Sequence, residues 1–483
     1  MVAISRRKVI ATSAAAAALL VLPRPLTAQQ CIVLNDASLL NPTPVARHWI
    51  ATDGNETAFI ERLRAELQEA ATAKRPVAVG AARHSMGGQS LPRNGTAMTF
   101  DVATCVPDWT ARAYRVHAGA RWHQVIAALD PIGFSPAVMQ SNSDFGVAAT
   151  FSVNAHGWPV PYGPFGTTVR SCRLMLADGT ILNCSRTENP ELFSFVMGGY
   201  GLFGVILDLD VDMVENLLLK PTFEVMPSHA FADRFIRVID EDKAVQMAYG
   251  RLAVARQGFF EASLMVSYRP QPTPPGGLPP AGAGGLLSSV SRELYRAQTG
   301  SERAKRARWF AETVVGPKAV SGLATRNTLM NEPVSNLASH DRRRTDILHE
   351  YFVPPERFND FVQACQEVIP RSKMDLLNVT LRYVMADPTS VLAFAPTRRI
   401  AAVMSFSQEI TPAAESDMRR MTEELIDRVI ALGGSFYLPY RLHARRDQVE
   451  KAYPGVARFI ERKRYYDPNT LFRNAMWDTY FAT

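Results

Sequence analysis

Residues 80–90 read GAARHSMGGQS, a histidine set among small residues directly after the apolar run Pro76–Val77–Ala78–Val79. An imidazole in such a turn can serve as nucleophile, proton carrier or hydrogen-bond partner. The surrounding glycines and alanines let consecutive backbone N–H groups face inward at close range, a cradle suited to a pyrophosphate. Two further small-residue segments follow, SDFGVAATFSVNAHGWPVPYG at 143–163 and GGYGLFGVI at 198–206. Three such loops suit one large, extended ligand lying along a domain. The fingerprint GxGxxG is absent from the turn after Val79, so a Rossmann reading is not supported there.

The elements that must hold these loops are legible as periodicity. DGNETAFIERLRAELQEA predicts a helix, with Asp53 as a candidate cap, Glu56 three residues later, and Ile60, Leu63 and Leu67 on one face. RLMLADGTILNC predicts a hairpin turning at Asp178–Gly179. VILDLDVDM alternates, with Val205, Leu207, Leu209 and Val211 on one face of a half-buried strand. The Pro/Gly stretch 269–285 predicts a flexible loop. No internal repeat is visible.

A length of 483 residues exceeds one ordinary compact domain and predicts two. With 47% hydrophobic and 20% charged residues, the composition is that of a globular protein with a sizeable core. The net charge of +7 permits anionic partners. Its basic runs, Arg303–Arg308 and Arg342–Arg344, lack interleaved aromatics or a nucleic-acid motif and read as solvated faces, so no nucleic-acid partner is expected. The first 28 residues place Arg6 and Arg7 before the apolar run Val9–Leu22 and a small-residue stretch ending at Ala28. That order predicts a twin-arginine export signal, a periplasmic location and no stable membrane span after its removal. The five cysteines show no metal-ligand spacing, and no metal is expected. Cys172 and Cys184 flank the LADGT turn, as a cross-hairpin pair or as buried free thiols.

The succession GAARHSMGGQ, VAATFSVNAHG, ENPELFSFVMGGYGLFGVI and YYDPNTLFRN resembles the vanillyl-alcohol oxidase family of flavoproteins. That family includes cytokinin dehydrogenases, alditol oxidases and aldonolactone oxidoreductases. The resemblance covers nearly the whole flavin domain and the C-terminal tail and is diffuse in between. It implies an α+β fold, a PCMH-type two-subdomain FAD-binding domain over 41–214, an α+β cap over 215–432, and a segment 433–483 that returns to the first domain. It also implies that His84 joins FAD covalently, or else hydrogen-bonds a flavin held noncovalently. Attachment needs a neutral imidazole nitrogen close to the flavin methyl. By the same resemblance Gly80, Ala81, Ala82, Arg83, Ser85, Met86, Gly87 and Gln89 shape the first loop, although relatives often carry glycine where Ala81–Arg83 stand. Ser143, Ala148, Ala149, Thr150, Ser152, Asn154, Ala155, His156 and Gly157 run beside the flavin, with His156 equally readable as a structural histidine. Gly204, Val205 and Ile206 meet the adenine side, and Asn474 packs back towards the flavin. A second, cysteine tether would fall near Asn142–Gly146, where there is no cysteine.

On the substrate side, NVTLRYV resembles a cap strand carrying an arginine over the flavin, here Arg382. The acidic partner of some relatives is replaced by Thr380, and a histidine of the next strand by Ser405. SFYLPYRLHARRDQ offers Tyr437, Tyr440, Arg441, His443 and Arg446; His443 is a candidate base or a structural histidine, and Tyr437 a candidate catalytic group. The implied activity is hydride transfer from a CH–OH donor such as a sugar, lactone or other alcohol to the flavin, with oxygen or a separate acceptor taking the electrons. Ala148 lies where the family's oxygen gate is thought to be. The alternatives are a CH–NH donor, as in the cytokinin dehydrogenases, and a flavin-free periplasmic binding protein. The NADPH-using reductase branch is disfavoured by export.

Overall fold

The computed structural model describes residues 32–282, 288–319, 322–334 and 341–482. The expected export segment and Cys31 lie outside the described residues.

Two larger sheets and a small antiparallel ladder of Ile32–Leu34 on Thr43–Val45 form the first part. Strands Arg47–Ala51, Thr96–Phe100 and Val77–Val79 make a parallel three-stranded sheet with Thr96–Phe100 in the middle. The predicted helix, Glu56–Thr72, connects the two outer strands and buries Phe59, Leu63, Leu67 and Ala70. Its cap is Asn55, whose side chain accepts from the Ala58 N–H. Asp53 instead accepts from the Asn55 N–H and braces the turn before the helix. The second sheet runs Ile181–Ser185, Val169–Met175, Val205–Glu215, Ala113–His117 and Cys105–Asp108, all antiparallel. The hairpin turns at Asp178–Gly179 as the sequence predicts, with Gly179 in the left-handed region at φ +83°. Cys172 and Cys184 face each other across it as free, buried thiols.

Strand Val205–Glu215 departs from simple alternation. Val205 to Leu209 are buried on both faces, and only the later residues alternate. The extra burial includes Asp208, which the Arg173 guanidinium pairs.

The large sheet begins at Leu218 and has eight strands, in the order Ala324–Thr325, Leu218–Pro227, Ala262–Pro270, Met247–Leu252, Asp375–Val384, Arg399–Glu409, Arg344–Val353 and Ser435–Phe436. Amphipathic helices Ser228–Glu241, Phe358–Val368 and Pro412–Ala431 each bury one apolar face, and the middle one packs against both others. The Pro/Gly stretch contributes its first two residues to a strand and docks back through the Ala281 N–H, which donates to Asp130. This is a mixed α+β architecture of the PCMH-type two-subdomain FAD-binding fold with a cap. Among the described residues no helix is long and apolar enough to cross a membrane.

Candidate functional site

The loop after Val79 is held open by a strained residue. Arg83 sits at φ +54°, a costly conformation for a side chain with a Cβ. Its guanidinium bonds His48 Nε2 at 2.9 Å and Thr99 Oγ1 at 2.8 Å, while its carbonyl accepts from the Ala37 N–H. These anchors turn His84 towards a cleft, where its ring stacks on Phe145 with centroids 4.1 Å apart. Its Nε2 stands 3.4 Å from Asp144 Oδ2.

The cleft joins what the sequence scatters. It encloses about 1130 Å³ including its open mouth, ample for a large ligand. From the first loop Gly80, Ala81, Ala82, Arg83, His84, Ser85, Gln89 and Ser90 line it. From the second come Phe145, Gly146, Ala148, Ala149, Ser152 and Val153, and from the third Tyr200, Gly201, Gly204, Val205 and Ile206. Tyr437, Pro439 and Tyr440 close it from the C-terminal segment. Gly146 explains how two loops meet so closely: a Cβ there would lie 2.7 Å from the Ala81 Cβ.

Several predicted site residues support the wall from behind. Met86 donates its N–H to the Pro439 carbonyl and accepts at its own carbonyl from Asn41 and Arg441. Gly87 donates its N–H to Gln89 Oε1. Ser143 is backbone-bonded to Glu332 and His123. Thr150 Oγ1 accepts from Trp122 Nε1 and donates to the Gly146 carbonyl. Asn154 bridges Asp387 and the Gly166 N–H, and Ala155 accepts from the Phe165 N–H. Gly157 packs against the Met139 carbonyl, which a Cβ would meet at 2.2 Å. Asn474 donates to the Tyr200 carbonyl and so fixes the third loop.

Beside the cleft lies a polar network from the large sheet. Glu350, only 4% exposed, accepts from His156 Nε2 and from the Tyr440 hydroxyl at 3.1 Å. Burial, with the Glu350 charge behind it, pushes the Tyr440 phenol well up. Arg382, like His443, is absent from the cleft wall; it donates to Ser141 Oγ at 2.6 Å, and Ser141 follows the cleft residue Gln140 in the chain. Burial lowers the Arg382 guanidinium and the Glu350 charge opposes this. The Tyr437 hydroxyl is committed to the Val153 carbonyl at 2.9 Å.

His443 is turned elsewhere. Its Nε2 faces Glu415 Oε1 at 2.7 Å and its Nδ1 faces Thr422, and it is absent from the cleft wall. Arg441 shares Glu415, and Arg446 bonds the Thr479 carbonyl. Thr380 is engaged by Arg251 and Ser405 by Tyr295, both inside the cap.

The cleft fits a flavin dinucleotide on its own chemistry. Its wall is mainly small and apolar, and among the described residues three of its buried polar atoms, Ser90 Oγ, Gln140 Nε2 and Arg83 Nε, have no partner. A ligand with many acceptors would satisfy them.

Sequence reasoning missed Asp144, Phe145 and Tyr200, although all lie inside the quoted loops. It also missed Glu350, whose signal was a lone carboxylate in the apolar strand ILHEYFV.

The comparisons agree with this geometry. Residues 58–185 match the FAD binding domain family. Cytokinin dehydrogenase 8 of Oryza sativa subsp. indica is 31% identical over 199 residues, covering 36% of this chain and 37% of that protein. The chain thus spans little more than a third of that relative's length. L-gulonolactone oxidase of Mus musculus is 22% identical over 392 residues, covering 76% of this chain and 80% of that one. Among solved structures, 6-hydroxy-D-nicotine oxidase from Arthrobacter nicotinovorans superposes with a TM-score of 0.59 at 16% identity, covering 92% of this chain and 96% of that one. The shared fold, the matched segment and the cleft built from it lead to one assignment: the chain carries a PCMH-type FAD-binding domain related to those of the vanillyl-alcohol oxidase family of oxidoreductases.

Proposed function

We propose that the protein is an exported FAD-dependent oxidoreductase that takes a hydride from a CH–OH donor, a sugar, lactone or other alcohol, with the flavin joined to His84. The single observation that carries this reading is one cleft lined both by the three small-residue loops around His84 and by Tyr440, which is backed by Glu350. Residues 41–214 with the tail 433–483 would form the flavin domain and 215–432 the cap. Location in the periplasm rests on the arginine pair and apolar run of the first 28 residues.

When bound, FAD supplies the acceptor for the hydride. The first loop would line the flavin through Gly80–Ser85, with Gly204–Ile206 meeting the far end of the cofactor. Tyr440 is the group that meets the donor hydroxyl. Its oxygen takes the donor's proton while its own passes to Glu350 Oε2, so the buried carboxylate is the base. His156 holds the other oxygen of Glu350 and fixes its orientation. Arg382, buried and, among the described residues, with Nε unpartnered, supplies a fixed positive charge beside Ser141 for negative charge that develops in the site. Tyr437 is a wall residue, because its hydroxyl is already spent on Val153. His443 braces the C-terminal segment through Glu415.

A CH–NH donor is the second reading, favoured by the cytokinin dehydrogenase match. Anaerobic mixing of the yellow protein with alditols, aldonolactones and secondary amines separates them. Bleaching of the flavin band by an alcohol or lactone supports the proposal; bleaching by amines alone replaces it with the second reading. No bleaching by any of the three classes contradicts both.

A further inference from the structure

We propose that Asp144 is the positioning residue for flavin attachment: it fixes the tautomer and orientation of His84 so that Nδ1 is the nitrogen free to bond the flavin methyl. The inference rests on the covalent reading above and deepens it.

The dipeptide Asp144–Phe145 constrains the His84 ring in two independent ways. Phe145 stacks on it at an interplanar angle of 27° and sets the plane. Asp144 Oδ2 stands 3.4 Å from Nε2 and places a negative charge on that side of the ring. In a neutral imidazole one nitrogen carries the proton and the other the lone pair. A carboxylate facing Nε2 selects the tautomer with the proton there and leaves the lone pair on Nδ1. Among the described residues no group is hydrogen-bonded to Nδ1.

Asp144 is anchored through its other oxygen. Its Oδ1 accepts from the Val334 N–H at 3.1 Å. The neighbouring Ser143 N–H and Asn142 amide both donate to the Glu332 carbonyl, at 2.9 and 3.2 Å. Two arginines stand near: Arg83 adjoins His84 in the chain, and Arg121 feels the Asp144 charge. Although burial opposes ionisation of Asp144, its bonds to His84 and to Val334 keep its carboxyl below the usual range, which leaves it charged when it is needed.

Attachment would exchange one flavin methyl C–H for an N–C bond made with the Nδ1 lone pair, and as positive charge develops on the imidazole its Nε2 proton would pass to Asp144. The two protons and the electron pair released overall would be taken up by dioxygen as hydrogen peroxide, so attachment needs air. Asp144 is not consumed; it holds the ring before the step and takes its proton during it.

The test reads attachment alone and needs no substrate. Wild type, Asp144→Asn, Asp144→Ser and His84→Ala are produced in riboflavin-starved cells so that they carry no flavin, mixed with FAD in air, and sampled over time by acid precipitation and intact mass. We expect all to show the bound flavin band before acid. Wild type should gain the mass of one FAD, Asp144→Asn and Asp144→Ser should do so at least tenfold more slowly, and His84→Ala not at all. Attachment in both Asp144 variants at the wild-type rate, with His84→Ala negative, overturns the role of Asp144 and leaves the covalent reading standing. Loss of noncovalent flavin in both variants also overturns it, by assigning Asp144 to binding instead. A wild type that binds flavin but never attaches it removes the covalent reading and this inference together.

Discussion

The side-chain amide of Gln89 donates to the backbone carbonyls of Leu438 at 2.8 Å and Tyr440 at 3.1 Å, tying the His84 loop to a segment about 350 positions later. Its own carbonyl accepts from the Gly87 N–H. One buried amide thus joins the His84 loop to the tyrosines that close the cleft.

Removing it should be costly. Gln89→Ala would leave two carbonyls and one N–H without their partner, and we expect a loss of about 2–3 kcal/mol in denaturant unfolding of the flavin-loaded protein. Affinity for FAD should fall with it. An unchanged midpoint and unchanged affinity would mean that the two segments are held by other contacts.

How much of this was legible in the chain depends on the distance over which a signal acts. The helix Glu56–Thr72, the turn at Gly179 and the three small-residue loops are local patterns, and they stand where periodicity and turn chemistry put them. Glu350 is different. A carboxylate within ILHEYFV shows only that something must pair it, and its partners, His156 and Tyr440, lie 194 and 90 positions away. His443 is the converse case: its setting among arginines and tyrosines looked reactive, but a glutamate on the helix Pro412–Ala431 engages it. Both pairings are set by the tertiary fold, which no short pattern encodes.

The contact between the first two loops should be tunable. Gly146→Ala sets a Cβ 2.7 Å from that of Ala81, and it should weaken FAD binding about tenfold while the fold persists. Ala81→Gly in the same protein should recover much of that loss. Equal weakening with and without the second change would show that the two loops do not compete for this space.

The proposed role of Glu350 as the base gives a kinetic expectation. Glu350→Gln keeps the shape and one acceptor oxygen but removes the base, so flavin reduction by the best donor should slow by about 10²–10⁴ with little change in donor affinity. Flavin content should stay near that of the parent, while the buried donor left without an acceptor should cost about 1–3 kcal/mol of stability. A rate within threefold of wild type would exclude Glu350 from the proton path.

Acid stability should depend on Glu415. Burial alone would raise its carboxyl, but His443 and Arg441 outweigh it and hold the group at about 2, against 4.5 for the ordinary side chain. A folded-state value below the unfolded one contributes stability that is complete above pH 4.5 and is lost as pH falls towards 2. After allowance for solvent at this partly exposed group, the contribution is about 2 kcal/mol. Glu415→Gln should therefore lower stability at neutral pH and flatten its decline below pH 4.5. Parallel acid-unfolding curves for the two proteins would contradict this.

The central claim is that the cleft around His84 holds FAD. Its most direct test is the visible spectrum of the purified protein before and after addition of FAD, compared with Gly146→Trp, which fills the junction of the first two loops. We predict a bound flavin band in the wild type, with fluorescence changed from that of free FAD, and no such band in a folded Gly146→Trp. A wild type that stays colourless when supplied with FAD, or a Gly146→Trp that binds it equally well, would contradict the account.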